Sequence, residues 1–196
     1  MKRTHFTALN RSALNVGFTL FDLLFCLAII SILVSLSFSS NTAAVADQKI
    51  ISQIYDIRNA LKLAQTLAIT RGETVTACLI DVNGHCVSEN GDAIAVFIDT
   101  NDNHQLDNSE IVVSEAVISG TTVVLSASGH NKSYVRFKPV GSAMESGNFL
   151  VCNDNPALGT GRKVVFYYSG RIYLSSDTNG DGFHDVNGNK VECPVN

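Results

Sequence analysis

Four cysteines beyond residue 70, two loops crowded with Asp and Asn, and one carboxylate in a greasy stretch hold most of the chemistry this sequence offers. Cys78 and Cys86 flank Leu79-Ile80-Asp81-Val82-Asn83-Gly84-His85, where Asn83-Gly84 is a tight-turn signal. A hairpin there brings the two sulfurs together, so a Cys78–Cys86 disulfide is expected. That leaves Cys152 with Cys193, a bridge that pins the tail to a sheet. Four cysteines allow three connectivities, and spacing alone leaves the other two open. Cys26 lies inside an apolar run and reads as a small apolar residue there. No C-x-x-C pair occurs, so zinc-like ligand spacing is missing.

The segment from Asp99 to Glu110 has the donor spacing of a calcium loop. Asp99, Asn101, Asn103, Gln105 and Asp107 occupy its odd positions, and Glu110 stands where a bidentate ligand closes the shell. His104 holds the place where Gly makes the sharp turn, and Val96-Phe97-Ile98 before it reads as strand instead of helix. A second loop offers Asp177, Asn179, Asp181 and Asp185 with Gly182 in place, but Gly188 stands where the closing Glu belongs. Calcium is one reading of both loops. The other is a pair of Asn/Asp-rich turns whose side chains satisfy their own backbone. Catalysis finds little footing. The histidines are scattered, and no G-x-S-x-G, H-E-x-x-H or phosphate-cradling loop occurs. Ser175, Ser176 and His184 could contribute a nucleophile, but nothing in the sequence places a base or an orienting group beside them. The expectation is a non-enzymatic protein without a resident cofactor, calcium excepted.

The elements that must carry these groups begin with a basic leader, Lys2, Arg3 and Arg11, ending at Gly17. An apolar run from Phe18 to Phe38 follows, free of Lys and Arg and broken only by Asp22. About 20 apolar residues span a bilayer core. The basic leader places the preceding end in the cytoplasm and the rest of the chain outside. A carboxylate in such a run is costly and marks a functional position. An ordinary secretory signal is cut after its apolar region; here the small residue stands before it. Without the leader's three cations the chain has 11 basic and 18 acidic residues, net −7, poorly suited to electrostatic capture of nucleic acid.

From Asn41 to Thr70 the pattern is helical, with Ile50, Ile54, Ile57, Leu61, Ala64 and Ala68 on one stripe and Gly72 as a stop. No Pro interrupts it, so this helix is expected to continue the apolar run. Short β-branched or aromatic runs follow at 74–80, 93–98, 111–117, 121–125, 134–137, 148–152, 163–168 and 171–174. A long helix followed by strands argues for α+β, the helix packed on antiparallel sheet. The expected organisation is a leader at 1–17, a membrane-spanning half-helix at 18–38, an exported half-helix at 39–72 and a β-rich domain at 73–196.

Gly17, the aromatic Phe18, an acid at the fifth position after the glycine and the unbroken apolar run together resemble the class III signal of type IV pilins and pseudopilins. Later landmarks resemble minor pilins of the GspH/FimT type. They are Ala64-Gln65-Thr66-Leu67-Ala68 leading to Val75-Thr76-Ala77-Cys78, Val135-Arg136-Phe137-Lys138-Pro139-Val140-Gly141, Phe149-Leu150-Val151-Cys152, and Ser169-Gly170-Arg171-Ile172. The resemblance implies cleavage after Gly17 by a prepilin peptidase and methylation of the new amino terminus, Phe18. It also implies an ion pair from Asp22, where Glu is usual in the family, to the amino terminus of a neighbouring pilin. The implied protein is a single-pass inner-membrane subunit with a periplasmic C-terminal domain, extracellular once in a filament. Its partners would be other pilin or pseudopilin subunits of a type IV pilus or a type II secretion pseudopilus. The alternative is a pilin that binds DNA for uptake through Gly-Arg-x-Arg. Gly170, Arg171, Ile172 and Tyr173 match without the second arginine, and Asp177, Asp181, Asp185 and Glu192 crowd the same stretch, so DNA is not an expected partner.

Overall fold

The computed structural model describes residues 18–37, 42–128, 132–153 and 161–194. The chain forms two compact units, Met1–Asn41 and Thr42–Asn196. Gly17 and residues 38–41, on which helix continuity depends, lie outside the described residues.

In the first unit, helix α1 (Leu20–Ser37) follows from a run without Gly or Pro. Ser31 and Ser35 turn their hydroxyls back to the carbonyls of Ala28 and Ile32, at 2.7 and 2.8 Å, so neither leaves a polar group looking outward for a partner. The apolar side chains described in α1 are exposed on every side of the helix. Among the described residues no helix is long and apolar enough to cross a membrane. The 18 residues of α1 rise about 27 Å, a little short of a ~30 Å hydrocarbon core.

The second unit is α+β, as expected. Helix α2 (Thr42–Arg71) is followed by β1 (Val75–Ile80), β2 (Cys86–Val87), β3 (Ala93–Ile98), β4 (Ile111–Val117), β5 (Thr121–Ala127), β6 (Tyr134–Phe137), β7 (Gly147–Asn153), β8 (Arg162–Phe166), β9 (Ile172–Leu174), β10 (Asp185–Val186) and β11 (Asn189–Lys190). The predicted stripe of α2 is fully buried. The helix ends at Gly72, which takes φ +72° and donates to the Ala68 carbonyl at 3.0 Å, a left-handed stop that favours glycine.

Every strand pair is antiparallel. In the first sheet β1 is central, with β3 then β4 on one side and β6 and β2 sharing the other. The second sheet runs β5-β7-β8-β9. A bridge between Glu89 and Val124, with Leu125 N–H donating to Ser88 O, ties the two sheets together. One core joins the α2 stripe to the inner residues of both sheets, Phe137, Phe149 and Phe166 among them. The outer face of the first sheet has its own cluster, where Cys78, Cys86 and Phe97 receive Leu106 from the Asp99–Glu110 loop. The chain end closes over the second sheet, with Val191 buried and Cys193 and Leu150 packed around Gly161.

Candidate functional site

At the start of α1, Thr19 and Asp22 cap the helix reciprocally. Thr19 N–H and Oγ1 both donate to Asp22 Oδ2, at 3.1 and 2.8 Å, while Asp22 N–H donates to Thr19 Oγ1 at 3.2 Å. The side chains thus satisfy two backbone donors that a helix start leaves unpaired. Phe18 is exposed beside them, and Gly17 lies outside the described residues. The local role of Asp22 was not read from the sequence, although Thr three residues before an acid is a capping signal.

The four cysteines beyond residue 70 form Cys78–Cys86 and Cys152–Cys193, as expected. Each bridge fastens a segment that covers the outer face of a sheet.

The Asp99–Glu110 loop brings most of its predicted donors together, on internal bonds. Asp99 accepts from the amides of Asn103 and His104, at 3.2 and 2.9 Å. Asp107 Oδ2 accepts from the side-chain amides of Asn101 and Asn103 at 2.7 and 2.8 Å. Glu110 accepts from the backbone of Thr100 and Asp107. Gln105 turns away, and its Oε1 takes the Cys86 N–H at 2.9 Å. His104 adopts φ +63°, so it makes the left-handed turn that its neighbours' geometry requires in place of glycine.

His104, Asp99 and Asp102 place possible metal-ligating atoms within 4.8 Å of one another. His104 Nδ1 is 3.2 Å from Asp99 Oδ2, and Nε2 is 3.3 Å from Arg136 Nη1. Because Arg136 can only donate, Nε2 must accept, and the ring proton sits on Nδ1 facing the carboxylates. Arg136 thus holds the imidazole in the tautomer that serves the carboxylates itself. Beyond it lies a cavity of about 460 Å³ lined by Glu73, Thr74, Asp99, Asp102 and Arg136.

Behind His104 is a charge cluster that the sequence reading missed. Glu145 is fully buried and accepts from Lys132 Nζ (3.0 Å), Arg136 N–H (2.9 Å) and the Arg136 guanidinium (2.9 Å from Nη2). Burial alone would lower the Arg136 guanidinium, but the hydrogen bond and charge of Glu145 override that and raise it. The ring of Tyr134 lies under both cations, at 5.7 and 5.3 Å.

The second Asp/Asn loop is a chain of self-satisfied turns. Asp177 accepts from Gly180 and Gly182 N–H at 2.7 and 2.9 Å, which lowers its pKa, the Gly180 bond contributing most. Asn179 accepts from Asp181, Asp181 from Phe183, and Asp185 from the Thr178 hydroxyl. Ser175 Oγ does lie 3.2 Å from His184 Nδ1. However, Nδ1 also bonds the Ser175 carbonyl at 2.7 Å, so it carries a proton and cannot take one from the serine. The Lys163 N–H meanwhile occupies Ser175 Oγ at 2.8 Å. This is a tail clasp, not an activated nucleophile. Arg171 lies 5.2 Å over the Tyr173 ring, which stacks on Tyr167. Partial burial, then the Tyr167 hydrogen bond, push Tyr173 up to about 12.

With this geometry in place, comparison decides the relationship. The family described as Type II transport protein GspH matches residues 53–170, from the middle of α2 to the turn before β9. The chain belongs to the GspH family. The GspH match takes in the whole first sheet, β5, β7 and β8 of the second, the Cys78–Cys86 bridge and the Arg136–Glu145 cluster. The fold is similar to crystal structures of the type IV minor pilin FimU of Pseudomonas aeruginosa. One shows 15% identity over 64% of this chain and 91% of that chain with TM-score 0.48, and a second crystal form shows 14% over 66% and 90% with TM-score 0.49. It is also similar to the minor pseudopilin EpsH of the Vibrio cholerae type 2 secretion system, at 14% identity over 64% and 95% with TM-score 0.45. No curated protein matches the sequence.

In this GspH chain, landmarks far apart in sequence meet at one side chain. Gln65 Nε2 donates to the carbonyls of Gly141 and Gly170, at 2.7 and 2.8 Å. Both glycines take φ +80°. A Cβ on Gly170 would lie 2.1 Å from the Gly141 carbonyl oxygen, so only glycine fits there.

Proposed function

We propose that this protein is a minor pilin or pseudopilin, a structural subunit of a type IV pilus or a type II secretion pseudopilus. The observation that carries the reading is the GspH match over residues 53–170 in a chain that also carries α1, apolar and exposed on all sides. Such a helix has lower free energy in lipid, or packed against other apolar helices, than in water.

In this reading the apolar run from Phe18 to Phe38 holds the subunit in the inner membrane, with the β-rich unit in the periplasm. A prepilin peptidase cuts after Gly17 and Phe18 becomes the methylated terminus. The helix then passes from lipid into a filament core and the β-rich unit faces outward. Asp22 has a second task, attracting the amino terminus of a neighbouring subunit; both Thr19 bonds use its Oδ2. The two Asp/Asn loops and the Ser175–His184 clasp are structural covers in this account, and no enzymatic step is assigned. The DNA-binding alternative is not supported: Tyr173 stands where the second arginine of that motif belongs, and Asp177, Asp181, Asp185 and Glu192 crowd the same stretch with like charge for phosphate.

The test is incorporation. Asp22→Ala in the full chain should leave the protein in the inner membrane with both disulfides formed, yet deplete it from sheared filament or pseudopilus fractions. Normal incorporation of that variant would remove the ion pair; absence of the wild-type chain from every such fraction would remove the filament assignment.

A further inference from the structure

An asparagine followed by glycine is open to attack by its own backbone. Glycine lacks a Cβ, so its amide nitrogen reaches the preceding side-chain carbonyl with little hindrance. The chain holds four such pairs, Asn83-Gly84, Asn90-Gly91, Asn179-Gly180 and Asn187-Gly188. All four asparagines are exposed, so access to water does not separate them. Hydrogen bonding does. Gly84 N–H donates to Asp81 O at 3.0 Å, and the Asn83 amide reaches Asp81 Oδ2 at 3.4 Å. Gly180 N–H donates to Asp177 Oδ1 at 2.7 Å, and the Asn179 side chain bonds Asp181 through both its amide and its carbonyl. The Asn187 side chain bonds the Tyr167 hydroxyl. Among the described residues neither the Asn90 side chain nor the Gly91 N–H has such a partner.

Packing keeps this pair in place. A Cβ on Gly91 would lie 2.9 Å from the Leu79 Cβ and 3.2 Å from the Ile80 carbonyl oxygen, too close for a larger residue. The pair stands in the strap between β2 and β3, between two ties. Before it, Glu89 bridges Val124, and Leu125 N–H donates to Ser88 O at 2.7 Å. After it, Asp92 N–H donates to Ile80 O and Ile118 N–H to Asp92 O, both at 2.7 Å.

We propose that Asn90 is a site of spontaneous covalent modification, deamidating in the folded protein while the fold protects the other three asparagines. The Gly91 nitrogen gives its proton to solvent and bonds Asn90 Cγ. The bond from Cγ to the side-chain nitrogen breaks, and that nitrogen takes a proton from solvent and leaves as ammonia. Water then opens the cyclic imide at either carbonyl, giving aspartate or isoaspartate with no electron transfer. Either product adds a negative charge between the exposed acids Glu89 and Asp92, where like charges repel. Isoaspartate also routes the main chain through the Asn90 Cβ, lengthening it between ties that are fixed. The connection between the two sheets loosens as the protein ages.

The experiment incubates the full chain in detergent micelles and mildly alkaline buffer, folded and in urea, with both disulfides intact. Peptide mass mapping follows conversion at each asparagine. In urea the four pairs should convert at similar rates. In the folded chain Asn90 should convert at least about tenfold faster than Asn83 or Asn179, whose attacking amides must first leave an acceptor. Asp177→Ala frees the Gly180 amide and should raise conversion at Asn179 without changing that at Asn90. Hydrogen exchange at the Leu125 and Asp92 amides should quicken in the aged chain. A folded chain in which Asn90 converts no faster than Asn179, or a spread of rates that persists in urea, would overturn the proposal. So would an Asp177→Ala variant with Asn179 as slow as before. Unchanged exchange in the aged chain would remove the loosened connection between the sheets.

Discussion

Gln65 and Gly170 are 105 residues apart in sequence, yet the Gln65 amide donates to the Gly170 carbonyl at 2.8 Å. The same nitrogen holds Gly141, so one helix side chain locks two surface turns against α2. Gln65→Ala leaves these carbonyls without their donor, at about 1–3 kcal/mol for an unsatisfied buried group. Gly170→Ala should cost more, since its methyl would overlap the Gly141 oxygen. Urea unfolding of the two variants checks the order; equal stability of Gly170→Ala and wild type would show that the turns are free to separate.

The two disulfides should differ in weight. Cys78–Cys86 closes a loop of sequence separation 8 and Cys152–Cys193 one of 41. Chain entropy then gives about 2.5 kcal/mol for the first and about 4 kcal/mol for the second. Paired Cys→Ser variants, compared by urea midpoint, should rank in that order. A larger loss from the short loop would mean that covering the first sheet matters more than restraining the unfolded chain.

Removing Glu145 should be severe. It is buried and takes bonds from both Lys132 and Arg136, and breaking a buried pair from one side typically costs about 3–5 kcal/mol. Glu145→Ala should lower stability by that order and also release the Asp99–Glu110 loop, because Arg136 holds His104 in place. Hydrogen exchange across residues 99–110 reads the second effect. An unchanged loop in Glu145→Ala would show that the two are uncoupled.

Much of this was legible in the residues. The α2 stripe from Ile50 to Ala68 is buried as its period requires, because a helix face has a fixed repeat. The strands 93–98, 111–117 and 134–137 match to the residue, since each is bounded by turn formers. The strands β10 and β11 were not legible, since each spans two residues, too few to show a period; the equally short β2 was reached only through the Asn83-Gly84 hairpin signal. The expected strand 163–168 is Arg162–Phe166, because Gly170 N–H bonds Tyr167 O and turns the chain there. The roles of Gln65 and Glu145 were hidden for another reason. A side chain reaching a carbonyl or cation far along the chain leaves no local pattern. His104 was marked as an obstacle to its loop, and the structure shows it making the turn itself.

Acid should loosen the tail loop. The Asp177 carboxylate is held below its ordinary value, first by the Gly180 amide and then by that of Gly182. A lowered folded pKa means that its stabilisation is complete above the unfolded value of about 3.9 and is lost as pH falls through the folded value. Asp81, lowered chiefly by the His85 amide, follows the same sign. Carbon-detected titration of both carboxyls should give midpoints below the ordinary aspartate range, and Asp177→Asn should show less acid-induced change in exchange at Gly180 and Gly182. Midpoints at or above the ordinary value would contradict the turn geometry.

The central claim, that this chain is a processed filament subunit, is tested most directly by the intact mass of the protein extracted from its own cell envelope. The account predicts a chain that begins at Phe18, carries one methyl group on its amino terminus, and retains the whole apolar run and both disulfides. Replacing Gly17 with a bulky residue should return the uncut, unmethylated chain. A mature form that begins beyond the apolar run, or a full-length chain with Met1 intact in wild-type cells, would contradict it.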